Sequence, residues 1–340
     1  MDEIDCMLDR MEDSMALDGK TILITGGTGS FGTKFTETVL REHNPKAIRI
    51  ISRGELLQLQ MRQLFNDDPR LRFFIGDIRD KERLSRAMNG VDIVVHAAAL
   101  KQVPACEYNP IEATRTNIDG AANVIGAAID NEVEKVMAIS TDKAVHPVNL
   151  YGATKTVAEK LLVQGNVYTG RRKTKFSVVR YGNVVGSRGS VIPLFLKQKK
   201  TGKITITDER MTRFWITLEQ GVCFVLDSID RMQGGEVFVP KIPSMRMAEL
   251  ADAIAPDAQQ EITGIRPGEK INEVLLAEEE ARHAKEFEDH FIIEPEYPFW
   301  DGSLLNGGEK LPEGFRYASD TNQHWLSGED LRRIIEEVDG

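Results

Sequence analysis

Lys20-Thr21-Ile22-Leu23-Ile24-Thr25-Gly26-Gly27-Thr28-Gly29-Ser30-Phe31-Gly32 decides the fold. Its first half is a short apolar run ending at glycines, the signature of a buried strand. Its second half spaces glycines as G-x-x-G-x-x-G at 26, 29 and 32, ahead of a helical pattern. Such a turn lets backbone N–H groups and the helix N-terminus approach a pyrophosphate. A glycine run alone is equally a tight surface turn. Its place between strand and helix, together with Tyr151-x-x-x-Lys155 downstream, points to a bound nicotinamide dinucleotide.

Outward from that stretch, apolar runs alternate with helical patterns. Ala47–Ile51, Leu71–Ile75, Val91–Val95, Val133–Ile139 and Phe176–Val179 read as the following strands, short and apolar on both faces. That is the pattern of a parallel sheet covered by helices on both sides, an α/β doubly wound fold of the Rossmann type. Pro110–Asn131 and Tyr151–Tyr168 read as the last crossover helices. After Arg180, glycines and prolines punctuate shorter elements (Gly182, Gly186, Gly189, Pro193, Pro240, Pro267 and Gly268 among them). A smaller lobe, interleaved with the main domain and closing over a substrate, is expected there. Ligands in such sheets bind beyond the carboxyl ends of the strands, so Gly26–Gly32, Asp77, Ala97–Lys101 and Thr141–Lys143 should line one crevice.

At 340 residues with 41% hydrophobic content the chain can bury a large core. Lysine and arginine total 43 against 53 acids, a net charge of −10. No global basic field is available for nucleic acid or an anionic membrane, and anionic ligands must be met by local cations. Cys6, Cys106 and Cys223 are far apart and show no metal-ligand spacing. No apolar run approaches the roughly 20 residues needed to cross a bilayer, and the N-terminus lacks a signal-peptide layout. A cytoplasmic protein without a metal is expected. Met1–Ala16, rich in Asp, Glu and Met, is left as a short amphipathic helix or a disordered extension.

Chemistry gathers at Ser140-Thr141-Asp142-Lys143 and Tyr151-Gly152-Ala153-Thr154-Lys155. A tyrosine and a lysine four apart share a helical face, where the ammonium can lower the phenol pKa and let it accept a hydroxyl proton. Asp142 and Lys143 add an acid and a base at the end of a buried strand. At the cofactor end, Ser52-Arg53 stands where an NAD-specific protein usually has an acid for the ribose 2′-OH. Arg53 points to a 2′-phosphate, hence NADP; the alternative is a surface arginine paired with Glu55. Asp77 and Ile78 are placed to meet the adenine, and Ala97, Ala98 and Ala99 either admit the dinucleotide or pack the core. His96 reads as a satisfied core histidine.

These motifs, with His96-Ala97-Ala98-Ala99 and Arg180-Tyr181-Gly182-Asn183, resemble the extended short-chain dehydrogenase/reductase family that acts on nucleotide sugars. More narrowly, Thr25–Gly32, Ser140–Lys143, Arg180–Ser190, Met211–Trp215 and Gly264–Lys270 resemble the C5-inverting UDP-N-acetylglucosamine 4,6-dehydratases. The likeness runs from about Lys20 to Asn322 and is closest to enzymes that open the pseudaminic acid pathway. It implies that Asp142, Lys143 and Tyr151 are catalytic, with Lys155 on the nicotinamide ribose and Thr141 near the substrate hydroxyl. Gly26, Thr28, Gly29, Ser30, Phe31, Gly32, Ser52, Arg53, Glu55, Asp77, Ile78 and Ala97–Ala99 would hold NADP. Lys101 and Asn183 would contact the sugar or diphosphate, and Arg213, Arg266 and Glu269 the UDP moiety. The family often carries a lysine after the second strand, where this chain reads Arg53-Gly54-Glu55-Leu56-Leu57, so NADP preference rests on Arg53.

The expected division is an acidic extension over 1–18, an NADP-binding domain over 19–180 and a mainly substrate-binding lobe over 181–340. The resemblance implies a homo-oligomer, with a hexamer as one candidate form, and spacing adds nothing to this. For Lys143 to take a C5 proton its pKa must fall from about 10.4 toward neutrality in a dry cleft. Alternatively Lys143 is a fixed cation and water or Tyr151 takes the proton. A nucleotide-sugar epimerase would share the Tyr-Lys pair without needing Asp142-Lys143, and a non-catalytic NADP-binding regulator would need neither.

Overall fold

The computed structural model describes residues 17–187, 190–297 and 307–339. The expectations for Met1–Ala16 lie outside the described residues, as do Arg188 and Gly189 of the Arg180–Ser190 motif.

Six parallel strands form the frame: β1 (Thr21–Thr25), β2 (Ala47–Ser52), β3 (Leu71–Ile75), β4 (Ile93–His96), β5 (Lys135–Thr141) and β6 (Lys175–Tyr181). Their spatial order is β3-β2-β1-β4-β5-β6, which reverses direction between β1 and β4 and opens a crevice there. Every residue of β1 and β4 is buried, as expected of strands inside a parallel sheet. β3 corrects the expectation of strands apolar on both faces: it is the sheet edge, and Arg72 and Ile75 are exposed. Its aromatics are capped by guanidinium groups instead, Arg62 over Phe73 at 5.3 Å and Arg83 over Phe74 at 5.4 Å.

Beyond β6 the sheet is extended by segments from the carboxyl-terminal half of the chain. Val237–Pro240 pairs parallel to β6, then His290–Ile293, Ala284–Glu286 and Glu309–Lys310 follow antiparallel. A separate apolar cluster including Ile192, Phe195, Ile204, Trp215, Met245, Leu250 and Leu331 forms a second core. Arg180, buried at the end of β6, ties Glu159 of the amino-terminal half to Leu275 and Glu280 of the carboxyl-terminal half. Its guanidinium pairs with Glu159 and with Glu280 (Nη1 to Oε2, 2.8 Å) and donates to the Leu275 carbonyl at 2.9 Å.

The long helix expected over Pro110–Asn131 is interrupted. Helices Pro110–Thr114 and Gly120–Asp130 are joined by a widened π-type turn, Arg115–Asp119. The helix carrying Tyr151 and Lys155 spans Leu150–Gln164, and Asn149 caps it by accepting from the Gly152 N–H at 2.8 Å.

Candidate active site

A cleft of about 830 Å³ lies at the carboxyl ends of the strands where their order reverses. It brings together most of the residues singled out from the sequence. Gly26, Thr28, Gly29, Ser30, Phe31 and Gly32 form one wall, with Ser52, Arg53, Asp77 and Ile78 at one end. Ala97–Ala99, Lys101, Thr141, Lys143, Tyr151, Lys155 and Asn183 line the remainder.

The first wall fits a dinucleotide. Gly26 has φ +68°, and a Cβ there would lie 2.9 Å from the Ala98 Cα, so only glycine permits this approach of the two loops. A Cβ on Gly32 would collide with the Gly27 backbone. Gly29 at the N-cap offers no side chain to helix Ser30–Glu42, leaving its positive end to a phosphate. Arg53 is exposed at the cleft mouth and stands 4.0 Å from Asp77. It does not pair with Glu55, which begins the next helix, is exposed, and lies outside the cleft lining. Asp77 is engaged mainly by Arg79, at 2.7 Å.

Asp142 and Lys143 lie in a one-turn helix, Asp142–Ala144, that ends β5. Lys143 Nζ donates to Asp142 Oδ1 at 2.9 Å and to Asn183 Oδ1 at 3.2 Å, and lies 3.7 Å from Glu273 Oε1. Burial pulls the Lys143 pKa down, but the Asp142 and Glu273 carboxylates outweigh it and hold the ammonium above its ordinary value. The expected fall toward neutrality is therefore absent in this arrangement. Asp142 is fully buried and does not line the cleft; its Oδ1 also accepts from the Thr141 hydroxyl at 2.9 Å, and its Oδ2 has no hydrogen-bond partner.

Tyr151 and Lys155 are both buried. Burial pushes the Tyr151 phenol up to about 12, with the Lys143 charge opposing it. The sequence reading had Lys155 lowering that phenol, but the Lys155 ammonium donates to the Ile139 carbonyl at 2.6 Å. Burial brings Lys155 itself down to about 8, with Glu159 opposing. Lys101 is likewise lowered, first by burial and then by the Lys143 charge. His96 is a satisfied core residue: its Nδ1 is 2.7 Å from Thr25 Oγ1, and burial takes its pKa down to about 3.

Three residues expected on a nucleotide lie outside this cleft. Arg213 is buried on strand Thr212–Ile216, its donors spent on the carbonyls of Thr212, Lys270 and Ile271 at 2.6 to 2.9 Å. Its forked face is thus committed to backbone. Arg266 is exposed and 3.7 Å from Glu269 in a loop whose Gly268 carbonyl accepts from Asn149. Glu269 Oε2 is buried without a partner.

Two residues escaped the sequence reading. Glu273 faces Lys143, Lys270 and Arg213. Asn117, in the π-type turn, holds both the N–H and the carbonyl of Leu100 and donates to Thr154 Oγ1 at 2.9 Å, fixing the segment before Lys101 against the Tyr151 helix. Neither carried a local signal: Asn117 stands among Arg115, Thr116 and Asp119, and Glu273 lies just past the Gly264–Lys270 motif. Among the described residues, no group of three His, Cys, Asp or Glu could hold a metal, and no helix is long and apolar enough to cross a membrane.

This strand order with a tyrosine and a lysine one helical turn apart is that of the short-chain dehydrogenase/reductases, and the chain belongs to their extended class. It belongs to the family described as polysaccharide biosynthesis protein, whose model matches residues 22–295. It is 52% identical over 332 residues, 95% of this chain and 99% of the relative, to a UDP-N-acetylglucosamine 4,6-dehydratase (inverting) of Campylobacter jejuni subsp. jejuni serotype O:23/36 (strain 81-176). It is 45% identical over 94% of each chain to a UDP-glucose 4-epimerase of Rickettsia conorii (strain ATCC VR-613 / Malish 7). The X-ray structure of Pen from Bacillus thuringiensis matches with a TM-score of 0.87 and 40% identity, covering 95% of this chain and 100% of that one.

Proposed function

We propose that this chain catalyses the inverting 4,6-dehydration of UDP-N-acetylglucosamine, giving UDP-2-acetamido-2,6-dideoxy-β-L-arabino-hex-4-ulose. The observation that carries this is Lys143, lining the cleft with Tyr151 and paired behind with the buried Asp142, since a dehydratase needs an acid and a base near its tyrosine. A hydro-lyase of this kind uses a nicotinamide dinucleotide. Gly26–Gly32 would hold its pyrophosphate, Asp77 and Ile78 its adenine, and Lys155 its nicotinamide ribose. Arg53, standing where an NAD-specific protein usually has an acid, favours NADP. Bound there, the nicotinamide would take the C4 hydride and give it back at C6, so no net oxidation results.

Tyr151 accepts the C4 hydroxyl proton, aided by the Lys143 charge that already opposes its raised pKa. The resulting 4-ketone acidifies C5–H. Moving one proton over the 2.9 Å from Lys143 Nζ to Asp142 Oδ1 makes a neutral amine facing the cleft and a carboxylic acid behind it. Lys143 then removes the C5 proton. The C5–H electron pair forms the C5–C6 double bond as the C6 hydroxyl leaves. Asp142 cannot reach that hydroxyl directly, so its proton passes through Thr141 Oγ1, which bonds it at 2.9 Å and lines the cleft. Water departs, and C5 is reprotonated from the opposite face by the Tyr151 phenol, which gives up the proton it took from the C4 hydroxyl, leaving the Lys143 ammonium and Asp142 carboxylate as they began. Lys101 and Asn183 orient the sugar or diphosphate, and the lobe after residue 181, with Arg266 and Glu269, closes over UDP. The product suits the opening step of pseudaminic acid synthesis, carried out by a cytoplasmic homo-oligomer, with a hexamer as the form to test.

The Rickettsia relative favours a second reading, epimerisation at C4. Incubating the purified chain with NADP and UDP-N-acetylglucosamine, followed by mass spectrometry, separates the two. Dehydration removes the mass of one water, epimerisation leaves the mass unchanged with a new stereoisomer, and a non-catalytic regulator returns the substrate untouched.

A further inference from the structure

We propose that Glu273 is a positioning residue of the site. Its carboxylate, shared among Lys143, Lys270 and Arg213, fixes where the Lys143 amine sits and ties that placement to the carboxyl-terminal half of the chain. This rests on the reading of Lys143 as the group that takes the C5 proton.

Glu273 is 3% exposed, and its backbone is clamped by one residue: its N–H donates to Ser319 Oγ and its carbonyl accepts from the Ser319 N–H, both at 2.9 Å. The side chain therefore emerges from a fixed point. Lys270 Nζ lies 3.2 Å from Oε2 and also donates to the Val145 carbonyl at 2.7 Å, binding this segment to the turn after Asp142–Ala144. Arg213 Nε is 3.9 Å from Oε1, and Lys143 Nζ is 3.7 Å from the same oxygen. Of the three cations, Lys143 lines the cleft, whereas Lys270 and Arg213 do not. Through that amine a displacement of the Glu273 segment is felt at the substrate. The charged and titratable groups facing Lys143 are Asp142 and Glu273, which favour the ammonium, Arg213 and Lys101, which oppose it, and the Tyr151 phenol. Removing one of its two carboxylates leaves a partly buried ammonium undercompensated, so the Asp142–Lys143 pair sheds its shared proton at lower pH and the location of the amine is no longer held.

The test compares kcat and KM against pH for wild type, Glu273→Gln, Glu273→Asp and Lys270→Met. Glu273→Gln should lower the maximal kcat about tenfold or more through lost positioning. Its KM for UDP-N-acetylglucosamine should stay within about twofold, because the site still binds substrate. The limb of kcat that falls at high pH, where the Asp142–Lys143 pair loses its shared proton, should move down by about one unit, and Glu273→Asp should restore its position. Lys270→Met frees the carboxylate for Lys143 and should move that limb the other way, to higher pH. A wild-type limb and wild-type kcat in Glu273→Gln overturn the proposal. If circular dichroism shows that Glu273→Gln does not fold, an unmoved limb in Lys270→Met overturns it instead. Failure of the dehydratase reading looks different: the wild-type chain would then release no water at any pH.

Discussion

Asn149 Nδ2 donates to the Gly268 carbonyl at 2.8 Å while Asn149 Oδ1 caps the helix that carries Tyr151. One side chain thus joins the start of the Tyr151 helix to the loop bearing Arg266 and Glu269. Asn149→Ala should cost about 1 kcal/mol through the lost cap, read as a lower urea midpoint. It should also raise KM for UDP-N-acetylglucosamine by loosening that loop. Arg266→Ala should raise KM strongly and leave NADP affinity, measured by calorimetric titration, nearly unchanged. An unchanged KM in Arg266→Ala would take this loop out of substrate binding.

Arg53, loosely placed 4.0 Å from Asp77, is free to turn toward a 2′-phosphate. Arg53→Ala should weaken NADP by about 1.5–3 kcal/mol, the worth of a charge-assisted hydrogen bond, with little change for NAD. Equal losses for both cofactors would reduce Arg53 to a surface charge.

Lys143 as the C5 base gives a stereochemical forecast. In deuterated water the 4-keto-6-deoxy product should carry deuterium at C5, and NMR couplings should report the L-arabino configuration. Because Asp142 and Glu273 hold the Lys143 pKa above its ordinary value, the Asp142–Lys143 pair keeps its shared proton over the neutral range, and kcat should fall only at high pH as the pair loses the proton that Asp142 delivers. A Lys143→Ala variant that dehydrates at near-normal rate would falsify the base assignment, and a primary product of D-xylo configuration would sink the inversion.

Arg180 between Glu159 and Glu280 is a stability element. Leaving one charge of such a buried cluster unpaired costs about 3–5 kcal/mol, so Arg180→Leu should be severely destabilised. Burial raises the Glu280 pKa, but Arg180 outweighs it and the folded-state value is depressed. A depressed carboxylate contributes stability above its unfolded pKa of about 4.3, and that contribution is lost as pH falls through the folded value. Urea unfolding of Glu280→Gln should therefore show a deficit at neutral pH that shrinks on acidification. A deficit of constant size across that range would mean that the ion pair does not titrate with folding.

The β1 strand, the glycine turn after it and the Tyr151–Lys155 spacing were legible because each is a local pattern: a buried run, a backbone approach, one face of a helix. Asp142-Lys143 was legible as chemistry but not as geometry. Adjacent residues in sequence gave no sign that the carboxylate would be wholly buried while the amine faced the cleft. What escaped was long-range. Glu273 is 130 residues from Lys143 by number, and Arg213 reads as a free cation until the carbonyls of Lys270 and Ile271 are seen to occupy it. The direction of the Tyr151 shift was also hidden, since it depends on where the Lys155 ammonium finds its acceptor.

The widened turn at Arg115–Asp119 has a geometric consequence for the whole crossover. One additional residue rotates everything beyond it by about 100° about the helix axis. Upstream and downstream halves therefore obey different phase constraints: Thr116 and Asn117 can be aimed at the cleft, Leu100 and Thr154, while Val124, Ala127 and Ala128 keep their own phase toward the core. Deleting a single residue within the turn would restore a continuous helix and force one of those two alignments to be given up.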